Sequence, residues 1–292
     1  MNFFTIRDIE NLTAIKAHTL RIWEQRYNLV TPKRKQGKHR TYDNEELKFL
    51  LRIAYLYHQG EKISRIAGMS DNEIRHRALD ADTNPDHLAA YYNQLTEAAI
   101  DLDTDRFEQV FNKLISVYGF ENTMLQIVYP LLKKMGNLWL TGHVIPTQEH
   151  FASAVITKKL LVAIDSLEFT ERPGRKTVLV FTPKGEEHEI PILFAYYMLK
   201  KNGIPVLYAG KNITMEVLAA IAEMQKFDRM YFHLITNLTG TVPEQYLRKL
   251  LRDFPEKQIF CSGQSLNHSQ SPDPAVHILK TPEELSRFFS GA

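Results

Sequence analysis

One cysteine, Cys261, stands among 292 residues. A single thiol cannot close an internal disulfide or supply a cysteine zinc site, and it suits a reducing compartment. No apolar run approaches the ~20 residues that a membrane span needs. The start, Met1-Asn2-Phe3-Phe4-Thr5-Ile6-Arg7, has no basic stretch followed by an apolar core, so it does not read as a signal peptide. A cytoplasmic protein with no membrane partner is therefore expected. Phosphate loops of the G-x-x-x-x-G-K-[ST] type, nucleophile elbows and H-E-x-x-H motifs are absent as well, and an enzyme is not expected.

What is present is ordinary for a soluble chain, 44% hydrophobic and 24% charged. The net charge of +2 hides an asymmetry. Residues 1–79 carry 15 Lys/Arg against 9 Asp/Glu, a balance of +6, and the remainder carries 21 against 25, a balance of −4. A polyanion would bind the N-terminal part, unless those cations form only a solvated face.

Three regions separate by pattern. Residues 1–79 read as short helices around one basic loop. The polar stretch 80–86 reads as a linker, with Pro85 where a new helix could begin. Residues 85–168 read as a bundle of four helices, at about 87–100, 104–118, 121–140 and 146–167. Residues 176–292 alternate five strands (177–181, 206–209, 229–235, 258–261, 276–279) with helices around 193–201, 215–225, 243–253 and 282–289. That alternation implies a parallel, Rossmann-like sheet covered on both faces, whose ligands bind at the carboxyl ends of the strands. The expected fold is thus multidomain, all-α followed by α/β.

The basic region has the layout of a helix-turn-helix. Residues 8–12 suit a first helix and 13–16 a turn. The second helix carries Lys16, His18, Thr19, Arg21, Glu24, Gln25 and Arg26, with Leu20, Ile22 and Trp23 on its buried and partly buried side. Such a helix fits a major groove. In the loop that follows, Gly37 can turn a hairpin, and Lys33, Arg34, Lys35, Lys38, His39 and Arg40 can neutralise phosphates. Asp43 reads as the N-cap of a third helix, with Glu45 and Glu46 in its first turn.

Thr19-Leu20-Arg21-x-Trp23-Glu24-x-Arg26-Tyr27, then Pro32-x-Arg34, Gly37, Arg40-x-Tyr42 and Leu56-x-x-x-Gly60, resembles the MerR family of winged-helix regulators over about 70 residues. The resemblance implies that Arg21 and its neighbours enter the major groove of operator DNA. It also implies that Arg40 and Tyr42 in the wing hold phosphate.

Two features stand in the rest. Trp139 closes the third bundle helix and Glu149-His150 open the fourth, ten positions on. An aromatic, a carboxylate and an imidazole at one mouth could cap a planar ligand, or Trp139 belongs to the core and Glu149 serves the helix dipole. After the first strand of the sheet comes Lys184-Gly185-Glu186-Glu187-His188-Glu189-Ile190-Pro191. A His two residues after Glu186 could be a metal ligand oriented by that carboxylate, or an exposed loop residue.

Together with the order of the regions, these features resemble the CarH/LitR group, cobalamin-dependent photoreceptors built from a MerR domain, a helical bundle and a flavodoxin-like domain. The resemblance implies Trp139, Glu149 and His150 above a corrin ring. Below it would lie His188 on cobalt, in an E-x-H loop with Glu186 behind it. Thr236-Asn237-Leu238 stands where the group has S-x-L, and Ser262-Gly263 where it has Gly-Gly, lining the slot for the nucleotide tail. Adenosylcobalamin is the cofactor it implies.

Three positions depart from the group. Pro191 replaces the glycine of the cobalt loop, Leu140 replaces a histidine that takes the upper cobalt face after photolysis, and Ser262 replaces a glycine. His143, in the loop after Leu140, is the one nearby imidazole that could substitute.

Two readings stay open. In one, light or ligand acting on a bound cobalamin breaks an oligomer and releases DNA, the protein serving as a repressor. In the other, the cofactor is lost or different and the C-terminal module serves oligomerisation or a regulatory protein partner. A corrinoid methyl carrier shares the bundle-plus-sheet pair but has no use for a DNA-binding head. Homo-oligomers, dimer or tetramer, are expected either way, because one winged helix makes a small interface.

Overall fold

The computed structural model describes residues 4–30, 33–34, 40–79, 88–140, 146–168, 170, 174–236 and 242–291, without the side chains of 33, 34, 79, 89, 136–140 and 146. Its contacts divide the chain into two compact units, 1–155 and 156–292, each described by itself.

The first unit begins with β1 (Phe4–Thr5) and α1 (Ile6–Thr13). α1 starts two residues earlier than the expected 8–12. Thr5 and Asp8 form a capping box, in which the Asp8 carboxylate accepts from Thr5 N at 2.6 Å and satisfies an amide that a later start would leave open. Ala14 in the left-handed region (φ +57°) turns the chain into α2 (Ala17–Tyr27). Next come β2 (Lys33–Arg34), β3 (Arg40–Tyr42) and α3 (Asn44–His58), with Asp43 as N-cap, as the sequence implied, and Glu46 closing a capping box. β3 pairs antiparallel with both β2 and β1. The short α4 (Ile63–Ile66) and α5 (Asp71–Leu79) complete the head. Its core gathers Phe4, Ile9, Leu20, Trp23, Tyr42, Leu47, Leu51 and Ile66.

The bundle follows with α6 (Leu88–Asp101), α7 (Thr104–Tyr118), α8 (Phe120–Thr123), α9 (Tyr129–Leu140) and α10 (Pro146–Asp165). The helix expected over 121–140 is broken between α8 and α9 by a π turn at Met124–Val128, where Tyr129 N donates to Met124 O. Pro130 has no amide hydrogen for the carbonyl of Gln126, so the ladder widens just before it.

The head and the bundle share a core in this unit. Ala90 and Ile100 of α6 pack in the head's cluster. Around them Asn93 Nδ2 donates to Leu51 O at 3.1 Å, and Lys48 Nζ meets Asp101 at 2.8 Å. The linker expected at 80–86 lies outside the described residues.

The second unit holds β4 (Val178–Pro183), α11 (Ile190–Lys201), β5 (Val206–Ile213), α12 (Met215–Met224), β6 (Arg229–His233), α13 (Pro243–Asp253), β7 (Gln258–Ser262), β8 (Val276–Leu279) and α14 (Pro282–Ser290). All five strands run parallel in the order β5-β4-β6-β7-β8, the flavodoxin-like order. Alternation assigns the faces. Leu179, Phe181, Met230, Phe232, Ile259 and Cys261 pack under α12 and α13, and Val178, Val180 and Tyr231 pack under α11 and α14. The order reverses between β4 and β6, so the loops leaving those two strands form the switch point where such sheets bind ligands.

Candidate nucleic-acid interface and cofactor site

α2 turns Leu20 and Trp23 inward, Trp23 meeting Tyr57 edge-on at 4.8 Å. His18, Arg21, Ile22, Gln25 and Arg26 face solvent. They fall at i, i+3, i+4, i+7 and i+8, which is one face of a helix. Ile22 corrects the expectation that placed it with Leu20 and Trp23, for it is 45% exposed and belongs to the outer stripe. Thr19 is half-buried, with Oγ1 3.3 Å from His18 Nε2. Lys16 precedes the helix and pairs with Glu10 at 2.9 Å, which holds α2 to α1 while the lysine stays exposed.

Glu24, on the inner flank of α2, fastens the wing. Its Oε2 lies 3.1 Å from Arg40 Nε, and its Oε1 accepts from the Tyr42 hydroxyl. Tyr42 is 1% exposed, so it is a core residue and not one of the phosphate-facing groups expected of the wing. Burial first, and then the adjacent carboxylate, push its phenol well above the usual range. Arg40 is partly exposed with its Nε engaged. Lys38 and His39 lie outside the described residues, as do the side chains of Lys33 and Arg34.

At the switch point Glu186 is fully buried and ties two segments together, the loop after β4 and the backbone after β6. Its Oε1 lies 2.5 Å from His188 Nδ1 and accepts from His188 N at 3.0 Å. Its Oε2 accepts from Ile235 N at 2.7 Å, Thr236 N at 2.8 Å and Thr236 Oγ1 at 3.0 Å. Burial raises its pKa, but the hydrogen bonds outweigh this and pull it down to about 2. The carboxylate is therefore ionised and holds the proton of His188 on Nδ1, which directs Nε2 away from it. The His188 side chain is 46% exposed.

The loop around this pair has its own supports. Thr182, buried at the end of β4, donates through Oγ1 to Glu186 O at 2.6 Å and accepts from Asn212 N at 2.9 Å. Asn212 Oδ1 accepts from Gly185 N. Neither Thr182 nor Asn212 was singled out in the sequence. A hydroxyl directly after the apolar run Val178–Phe181 was the available sign for Thr182.

Pro191 sits in the first turn of α11, where a missing N–H costs nothing. Ser262 is buried, its Oγ 2.8 Å from both Tyr231 Oη and His233 Nδ1. It is thus a member of an internal hydrogen-bond chain. Burial lowers the pKa of His233 to about 4 and keeps it neutral. Gly263 (φ +119°) presses on the backbone just past the neighbouring β6, since a Cβ there would lie 2.0 Å from Leu234 O.

In the first unit, Trp139 lies in the last turn of α9 and Glu149-His150 in the first turns of α10. The Trp139 and Leu140 side chains and the loop 141–145, with His143, lie outside the described residues, as do Asn237 and Leu238. Glu149 Oε1 accepts from Ser153 Oγ at 2.7 Å, and Oε2 lies 3.3 Å from Nδ1 of the exposed His150. Gln148, buried beside them, donates to Ile100 O at the end of α6.

The Glu186–His188 pair is a donor set that a cobalamin could use. Among the described residues no group of three or more His, Cys, Asp or Glu could hold a bare metal ion. A single carboxylate-backed imidazole suits a metal that arrives inside its own ring of ligands. Among the described residues no helix is long and apolar enough to cross a membrane.

Comparisons with known proteins agree with this layout. A MerR HTH family regulatory protein model matches residues 4–73, and a B12 binding domain model matches residues 91–163. Over 97% of both chains, the sequence is 22% identical to the HTH-type transcriptional repressor CarH of Myxococcus xanthus. It is 28% identical to the HTH-type transcriptional repressor CarA of the same organism, over 71% of this chain and 68% of that one. A monomethylamine corrinoid protein from Methanosarcina barkeri shares the fold, with a TM-score of 0.55 at 11% identity over 68% of this chain and 97% of the other.

Proposed function

We propose that this chain, which joins a MerR helix-turn-helix head to a B12-binding domain, is a transcription repressor whose hold on operator DNA is set by a bound cobalamin. The outer stripe of α2 supplies the groove-reading face, with His18, Arg21, Gln25 and Arg26 offering hydrogen bonds to base edges or phosphates. Arg40, with Lys33, Arg34, Lys38 and His39 of the wing, supplies phosphate contacts. Two such heads in an oligomer would read two half-sites.

The Glu186–His188 pair carries the cofactor part of this reading. Glu186 spans from the loop after β4 to the backbone after β6 and presents one imidazole at the switch point. His188 would offer an imidazole nitrogen to the cobalt of a bound cobalamin, with its ring fixed by Glu186, which Thr236 in turn holds. Leu140 cannot ligate, so a light-driven state closed by two histidines is not expected at this position. Adenosylcobalamin as the native form and light as the signal belong to the same proposal.

The test is visible absorption of the purified chain after incubation with adenosylcobalamin and desalting. A retained corrin spectrum, weakened in His188→Ala, is expected. No retained spectrum sinks the cofactor reading.

Ser262 and Pro191 favour a second reading, in which the module is an assembly platform that no longer needs cobalamin. Ser262 is locked into the Tyr231–His233 chain, where the related group has glycine. Solution mass with and without cobalamin, in darkness and light, separates the two readings. An oligomer that is the same in all four conditions favours the second.

A further inference from the structure

We infer that Ile22 is a base-reading residue that recognises the methyl group of a thymine in the major groove. The inference rests on the reading of α2 as the helix that enters the groove.

Ile22 lies at the centre of the exposed stripe. His18 lies one turn before it, Gln25 and Arg26 one turn after, and Arg21 beside it. These four carry hydrogen-bonding groups, with guanidinium suited to guanine and carboxamide to adenine. Ile22 carries none. An isolated exposed aliphatic side chain is ordinary on a protein surface. One set among cations and amides, on the face turned toward DNA, is placed where polar atoms would otherwise be expected.

The head's own packing does not call for an apolar residue here. Leu20 and Trp23 on either side belong to the core cluster, and Ile22 does not. Its β-branched side chain is confined to few rotamers in a helix, so it offers a stiff apolar knob with little entropy left to lose. In the major groove thymine is the base that presents an apolar group, its C5 methyl. Ile22 thus supplies a distinction that its neighbours cannot make, between thymine and the same base without its methyl.

The full-length protein is first used to select sites from a random-sequence duplex pool. The selected site is then rebuilt with each thymine in turn replaced by uracil, which removes only the methyl. At one position per half-site, uracil is expected to weaken wild-type binding by roughly 4-fold, the weight of one buried methyl group. The same replacement should leave Ile22→Ala binding unchanged. A second variant, Ile22→Asn, should shift the selected base at that position toward adenine.

A site with no uracil-sensitive thymine, or one equally sensitive in Ile22→Ala, overturns the inference. Arg21→Ala keeps the two levels apart. If Arg21→Ala and Ile22→Ala both select the wild-type site at wild-type affinity, or the wild type enriches no site, the reading of α2 itself fails. If Arg21→Ala loses the site while Ile22→Ala keeps both site and uracil sensitivity, only the assignment of Ile22 fails.

Discussion

Glu97 of the first bundle helix holds Arg52 of the DNA-binding head through two hydrogen bonds, of 3.0 Å from Nε and 2.7 Å from Nη2. The carboxylate is 2% exposed and also accepts from Arg106 Nη2 at 3.1 Å. One buried anion thus serves two cations on different helices and fastens the head to the bundle. Glu97→Gln leaves the two guanidiniums facing each other without their counter-charge. A loss of about 2–3 kcal/mol is expected, below the full cost of breaking a buried pair because both arginines reach solvent. Urea unfolding of the full chain measures it, and a loss under ~0.5 kcal/mol would mean that the seam is ornamental.

The Tyr42–Glu24 contact separates stability from DNA affinity. Tyr42→Phe removes one hydrogen bond to a charged acceptor and should cost about 2 kcal/mol of stability. The salt dependence of DNA binding should not change, because the hydroxyl faces inward. Arg40→Ala, by contrast, should flatten that dependence by roughly one unit. Anisotropy titrations over a range of salt distinguish the two. A flattened slope for Tyr42→Phe would restore the tyrosine to the DNA surface.

Glu186 should matter to retention of cobalamin through His188. Glu186→Gln keeps the shape but removes the charge that holds the proton on Nδ1, and it places an N–H donor where several amides already donate. Cobalamin retention is expected to fall by about 10- to 100-fold, the usual weight of such a partner. Equilibrium dialysis followed at the corrin absorption bands would read it. Equal retention by both proteins would show that the carboxylate serves the loop alone.

Gly263 and Gly210 form a matched pair. Both have positive φ, +119° and +86°, but a Cβ at Gly263 would strike Leu234 O while Gly210 has open space. Gly210→Ala should cost about 1–2 kcal/mol from backbone strain. Gly263→Ala should cost upwards of ~3 kcal/mol, since strands β6 and β7 must shift to admit it. Similar losses in denaturant for the two would show that the close approach is soft.

Cys261 should be silent in the native state. It is buried, and burial pushes its thiol up to about 12, so almost no thiolate is present or reachable at neutral pH. Iodoacetamide should label it only as fast as the sheet opens, and mass spectrometry at increasing urea would show labelling rise with unfolding. Rapid labelling in buffer would contradict the packing of β7.

The sequence by itself determined the order of the parts, the outline of the winged head, and the five parallel strands with their covering helices. It also determined where Glu186 and His188 fall, in the loop after the first strand of the sheet. These follow from period, capping residues and turn chemistry, which act over a few neighbouring residues and are written locally.

Only the tertiary structure decided which side chains meet across the chain. Glu186 reaches the backbone of Ile235 and Thr236, some 50 positions on, because parallel strands bring the ends of β4 and β6 together. Glu97 finds Arg52, 45 positions back, because α6 docks on α3. Ile22 and Tyr42 changed places for the same kind of reason. Hydrophobicity put the isoleucine inside and the family resemblance put the tyrosine on phosphate, but the direction of each Cα–Cβ bond, set by how α2 and β3 pack on their neighbours, reversed both. Such pairings depend on how distant segments close on one another, and no local pattern records that.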